Sequence, residues 1–115
     1  MTTATVQPTA LQISFTTREK VAGLIRNQQF PLTSVRSAEV VADGLAAVHG
    51  VRSPGLGLPG ARAIGTWRGR SGKTLVSVRR GRPALRVLLD GQPYAELLLD
   101  VDDAARLAAA LAPTR

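Results

Sequence analysis

Between residues 62 and 99 the chain is interrupted three times, by Gly69-Arg-Ser-Gly72, Arg80-Gly-Arg-Pro83 and Asp90-Gly-Gln-Pro93. Each break is hairpin length and combines Gly with Ser or Pro, the residues that supply turn conformations. The segments they separate, about 62–68, 74–79, 84–89 and 94–99, read as four strands of an antiparallel meander. Leu85, Val87 and Leu89 share one parity, as do Ala95, Leu97 and Leu99, while Arg86 and Glu96 fall on the other side. The alternation predicts a sheet with one core face and one face largely in solvent.

The flanks extend this pattern. Residues 10–15 alternate with Leu11, Ile13 and Phe15 on one face, as a half-buried strand does. Thr16 and Glu19 form a capping box, and Val21, Leu24 and Ile25 then make one stripe, so residues 17–26 are expected to be a short helix. Asn27 and Pro31 end it. Residues 34–42 are a second strand candidate with imperfect alternation, which a bulge or a short helical turn would accommodate. Asp43-Gly44 signals a turn. Residues 50–61 hold four Gly and two Pro and are expected to be an irregular loop. Ala104, Leu107, Ala108 and Leu111 recur at helical spacing behind Asp100, Asp102 and Asp103, which suit a helix start. Pro113 stops that final helix. The predicted class is α+β, mostly β: an antiparallel barrel or sandwich with a C-terminal capping helix and a short helix near the N-terminus.

A chain of 115 residues fits one domain, placed at residues 10–112 with a tail at 113–115. Residues 1–9, rich in Thr, Gln and Pro, are expected to be a disordered start without a signal peptide. Hydrophobic residues make up 44% of the chain, enough for a core, and the aromatics are Phe15, Phe30, Trp67 and Tyr94. Such a domain buries roughly two-thirds of its unfolded surface and needs no covalent staple. There is no cysteine, which removes disulfides, thiolate metal sites and cysteine nucleophiles. No apolar run approaches the ~20 residues of a membrane span. The default location is cytoplasmic.

The formal net charge is +7, and arginine outnumbers lysine thirteen to two. No acidic residue occurs between Gly44 and Leu89, a stretch carrying Arg52, Arg62, Arg68, Arg70, Lys73, Arg79, Arg80, Arg82 and Arg86. From Asp90 onward acids prevail. Such a gradient predicts a two-faced electrostatic field. Arg68, Arg70 and Lys73 flank one hairpin tip, and Arg79, Arg80 and Arg82 flank another at the opposite end of the sheet. These six are the candidate binding residues.

Motifs of chemistry fail on inspection. Gly55, Gly57 and Gly60 fit G-x-G-x-x-G, but Pro59 interrupts the motif and a strand follows where a dinucleotide site requires a helix. Gly72-Lys73-Thr74 mimics the end of a P-loop, yet Trp67 stands where the first glycine belongs and the next residues are β-like. His49 is the sole histidine and has no neighbouring nucleophile. Helix capping accounts for the acids near residue 102 without a metal. No catalytic residue, metal ligand or cofactor is assigned.

The loop Gly55-Leu-Gly-Leu-Pro-Gly60, Gly65-Thr66, the meander with Tyr94 and the closing Val101-Asp-Asp103 helix resemble a bacterial PH-like domain of actinobacterial type over residues 10–112. The resemblance implies a pleckstrin-homology-like barrel closed by a C-terminal helix, with no enzyme activity, and it carries no ligand residues to this chain. The helix expected at 17–26 departs from it, since a regular barrel has a hairpin there. The function expected is therefore a non-enzymatic binding module. Its partners would be a protein or a second copy of itself, with an anionic ligand or lipid headgroup compatible with the basic surface. A basic nucleic-acid-associated domain is the alternative, disfavoured by the scarcity of aromatics for stacking.

Overall fold

The computed structural model describes residues 2–16, 27–44, 48, 51–52, 56–58, 62–69 and 72–111. The expected helix at 17–26, His49 and Arg70 lie outside them. Among the described residues the strands are β1 Thr3–Val6, β2 Ala10–Ser14, β3 Gln28–Pro31, β4 Val35–Val41, β5 Val51–Arg52, β6 Leu56–Leu58, β7 Arg62–Gly69, β8 Gly72–Arg79, β9 Ala84–Leu89 and β10 Glu96–Leu99. The helix α1 Ala104–Leu111 follows them. The domain is thus mostly β, with two sheets and a C-terminal helix.

The smaller sheet has the order β1-β2-β3 with antiparallel pairing throughout. Residues 3–6 are therefore a strand and not a disordered start. Ala4 is buried and Val6 half-buried against the core, so an alternation too short to read as a strand is completed by pairing with β2. Phe15 N–H donates to Asn27 Oδ1 at 2.9 Å, fastening the two ends of the β2–β3 connection.

The larger sheet has the order β4-β9-β10-β8-β7-β5, with β6 also pairing with β7. β7 and β8 form the expected hairpin, closed by Gly69 opposite Gly72. β9 and β10 are also antiparallel neighbours. The meander nevertheless fails between β8 and β9. β10 is inserted between them and runs parallel to β8, with Leu97 opposite Leu75. The break at residues 80–83 is thus a wide turn across one strand and not a hairpin. Two strand spacings are about 10 Å, and four residues span up to ~13 Å, so the short connection suffices. Gly81 makes the turn with φ +71°, a backbone region in which side chains are disfavoured.

One further correction and one agreement concern the same sheet. The glycine-rich stretch 50–61 is not wholly irregular, because β5 and β6 pair with β7. β4 carries the irregularity its alternation suggested: a 3-10 turn at Leu32–Ser34 precedes it, and its register shifts between Val35 and Ser37.

The main core lies between the larger sheet, the smaller sheet and α1. It joins Leu11, Ile13 and Phe30 to Leu75, Leu85, Val87, Leu97 and Leu99, with Leu107 and Leu111 closing one side. Tyr94 packs edge-on against Phe30, ring centroids 6.4 Å apart. The opposite face of the larger sheet is not left to solvent. Ala63, Trp67, Val76, Val78, Ala84 and Leu98 form a second buried cluster there. The unbroken runs Leu75-Val76 and Leu97-Leu98-Leu99 are the pattern of strands covered on both faces.

Candidate functional site

The cations of the acid-free stretch occupy both ends of the β7–β8 ribbon. Arg68 on β7 and Lys73 on β8 stand directly opposite one another, one pair in from the Gly69–Gly72 closure. Both are exposed. Gly72 has φ +122°, and a Cβ there would lie 3.1 Å from Ala95 Cβ, so glycine serves both the turn and the approach of the neighbouring segment. Lys73 makes no ion pair among the described residues. At the other end of β8, roughly 20 Å away by strand rise, Arg79 donates through Nε to Asp100 Oδ2 at 2.6 Å. The Asp100 side chain is only 6% exposed. Arg80 and Arg82 are exposed in the turn, where Gly81 N–H donates to Asp43 Oδ1 and Gly44 N–H donates to the Arg82 carbonyl.

The structure therefore keeps the described members of the two candidate clusters at opposite ends of the β7–β8 ribbon, as the hairpin reading requires. The 79–82 end is interleaved with Asp43 and Asp100. The 68–73 tip has no acid in its strand pairs.

The expected two-faced field is replaced by interleaving of opposite charges, and the cause is the strand order. The β9–β10 pairing sets Glu96 beside Arg86, and the placement of β10 next to β8 brings Asp100 to Arg79. Arg86 on β9 donates from Nε to Glu96 Oε2 at 3.0 Å and from its terminal nitrogen to Glu39 Oε1 at 3.1 Å. Arg36 lies 3.5 Å from Asp90. Acids late in the chain thus meet arginines from β4, β8 and β9.

Beside the tip, a cleft of about 400 Å³ is lined by Arg36, Thr74, Arg86, Asp90, Gln92 and Glu96 among others. The candidate set did not include Arg36 or Arg86. The Arg86–Glu96 side of it was legible in the shared parity of those two residues, but Arg36 arrives through the β4 bulge, which alternation does not place. A second cleft of about 310 Å³ lies beside the N-terminal end of α1, between Val40, Arg82, Asp100 and Ala104.

The failed motifs have simple structural uses. Gly72-Lys73-Thr74 opens strand β8, and β7 follows the glycine triplet. No group of three or more metal-ligating side chains occurs among the described residues. No helix of the described residues is long and apolar enough to cross a membrane. In comparison with known proteins, the chain matches no family model, no curated protein and no solved structure.

Proposed function

We propose that this chain is a non-enzymatic binding module of bacterial PH-like type that meets an anionic partner with the tip of its β7–β8 hairpin. The observation that carries this reading is the exposed Arg68–Lys73 pair, which stands one position in from the Gly69–Gly72 closure of the hairpin. Exposed cations at a hairpin end raise the local concentration of anions and speed encounter. The mostly β architecture and the closing helix support the PH-like assignment, while the β9-β10-β8 order departs from a regular up-and-down barrel.

Nucleic acid is the less favoured partner. Phe15, Phe30 and Trp67 are buried and Tyr94 is packed on Phe30, so none offers a free stacking platform.

The test is retention of the full chain on phosphatidylglycerol-containing vesicles, on polyglutamate and on duplex DNA, each across a range of salt. The reading predicts binding to vesicles or polyglutamate that weakens with salt and is lost in the R68E/K73E variant. Absence of binding to either at low salt, or full binding by that variant, overturns it. Preference for DNA would transfer the function to the nucleic-acid alternative.

A further inference from the structure

We propose that the cleft beside the tip is a binding site for a small zwitterion of the α-amino acid type. This goes beyond the anionic-partner reading and does not depend on it, because the tip offers cations while the described walls of the cleft offer both signs of charge. Its volume of about 400 Å³ falls in the range of small-molecule sites.

Its walls present two guanidinium groups, Arg36 and Arg86, and two carboxylates, Asp90 and Glu96. Arg86 is held in place by Glu96 and Glu39, bonds that use two of its five N–H donors and leave others for a ligand. Arg36 and Asp90 meet only at 3.5 Å, with side chains 59% and 71% exposed, so their pairing exchanges readily.

Thr74 supplies the second, independent observation. It is 2% exposed, it lines the cleft, and its hydroxyl has no hydrogen-bond partner among the described residues. Buried hydroxyls are normally bonded. An orphan in a cavity wall is explained by a group that arrives from outside.

The mixture of charges selects the ligand class. A simple anion would lie against Asp90 and Glu96, and a simple cation against two guanidinium groups. A zwitterion brings both signs and no net charge. Its carboxylate takes Arg36, a spare donor of Arg86 and the Thr74 hydroxyl, and its ammonium takes Asp90. The half-buried Gln92 amide is placed to contact whatever side chain the ligand carries.

The experiment is thermal unfolding and calorimetric titration of the full chain with each standard free amino acid in turn. Propionate and propylamine serve as single-charge controls. At least one amino acid should raise the melting temperature in proportion to its occupancy, with neither control doing so. The T74V variant keeps the side-chain shape and removes the hydroxyl. Without ligand it should melt above the wild type, and its affinity should fall about tenfold. R68E/K73E should retain the amino acid response, which separates this site from the tip. The proposal is overturned if no amino acid shifts the transition or if propionate performs as well. It is equally overturned if T74V binds unchanged or melts no higher than the wild type.

Discussion

Replacing Gly44 with alanine probes how the turn after β4 docks on the second face of the larger sheet. A Cβ at this position would lie 2.8 Å from Ala84 Cβ, 2.8 Å from Val78 Cγ1 and 2.9 Å from Val78 Cβ. Carbon pairs prefer about 3.5–4.0 Å, so each contact is short by roughly 0.6–1.2 Å. Two of the three atoms are Cβ atoms fixed by the backbones of β8 and β9, so rotating a side chain does not relieve them. Retreat of the turn is opposed by the 3.0 Å hydrogen bond from Gly44 N–H to the Arg82 carbonyl. The Gly44 backbone lies outside the left-handed region, so the penalty comes from packing alone. Overpacking of this kind costs about 1–3 kcal/mol. The reduced entropy of the unfolded chain returns about 0.4–1 kcal/mol. The net expectation is a loss of about 1–2 kcal/mol. For a domain of this size that is a fall in Tm of about 4–8 °C. In urea, the midpoint should drop with no change in slope. The same substitution in a V78A background should cost less, since one of the offending atoms is then gone. An unchanged or raised midpoint for G44A in the wild-type background would refute the close docking of this turn.

Four further outcomes follow from the ion pairs and turns. R79M strands the nearly buried Asp100 carboxylate and should cost about 2 kcal/mol in urea unfolding, below the figure for a fully buried pair because Arg79 is itself partly exposed. R36M removes an exposed, long contact and should change stability by less than about 0.5 kcal/mol in the same assay. A double-mutant cycle should give a larger coupling for Arg86 with Glu96, whose side chain is 6% exposed, than for Arg86 with Glu39, which is 59% exposed. G81A meets no neighbouring atom but forces φ +71°, so it should cost about 1 kcal/mol through backbone strain and leave any binding untouched.

The elements that sequence periodicity placed well are those whose burial is set locally. Leu85, Val87 and Leu89 report β9 because one face of it meets the core, and Ala104, Leu107 and Leu111 report α1 in the same way. β1 was missed because Ala4 and Val6 offer one and a half turns of alternation, and only pairing with β2 gives them a core to face. β5 and β6 were hidden by glycine and proline, whose cost in a strand is tolerated at the margin of a sheet. The insertion of β10 was the largest omission. Strand order depends on which partners are met across the sheet, and the four-residue connection at 80–83 is long enough for either arrangement. The continuous apolar run Leu97-Leu98-Leu99 held the available clue, since a strand with solvent on one face alternates.

That omission also shaped the view of the candidate site. With β10 at the edge of a meander, Glu96 would still meet Arg86 across the β9–β10 pair, but Asp100 would stay clear of Arg79. With β10 between β9 and β8, Arg79 and Arg86 are both paired with late acids, while Arg68 and Lys73 face one another at the other end of the β7–β8 ribbon. Which acid meets which arginine is therefore a product of topology, which no count of charges along the chain supplies.

The most direct measurement compares two charge reversals of equal size at those two ends, R68E/K73E and R80E/R82E. Both change the net charge of the chain by the same amount, so any effect of overall charge is shared. Vesicle and polyglutamate binding should collapse in the tip variant, along with most of its salt dependence, and persist in the other with only a modest loss. Equal weakening of both variants would show that binding follows net charge alone, and it would contradict the assignment of the β7–β8 tip as the contact surface.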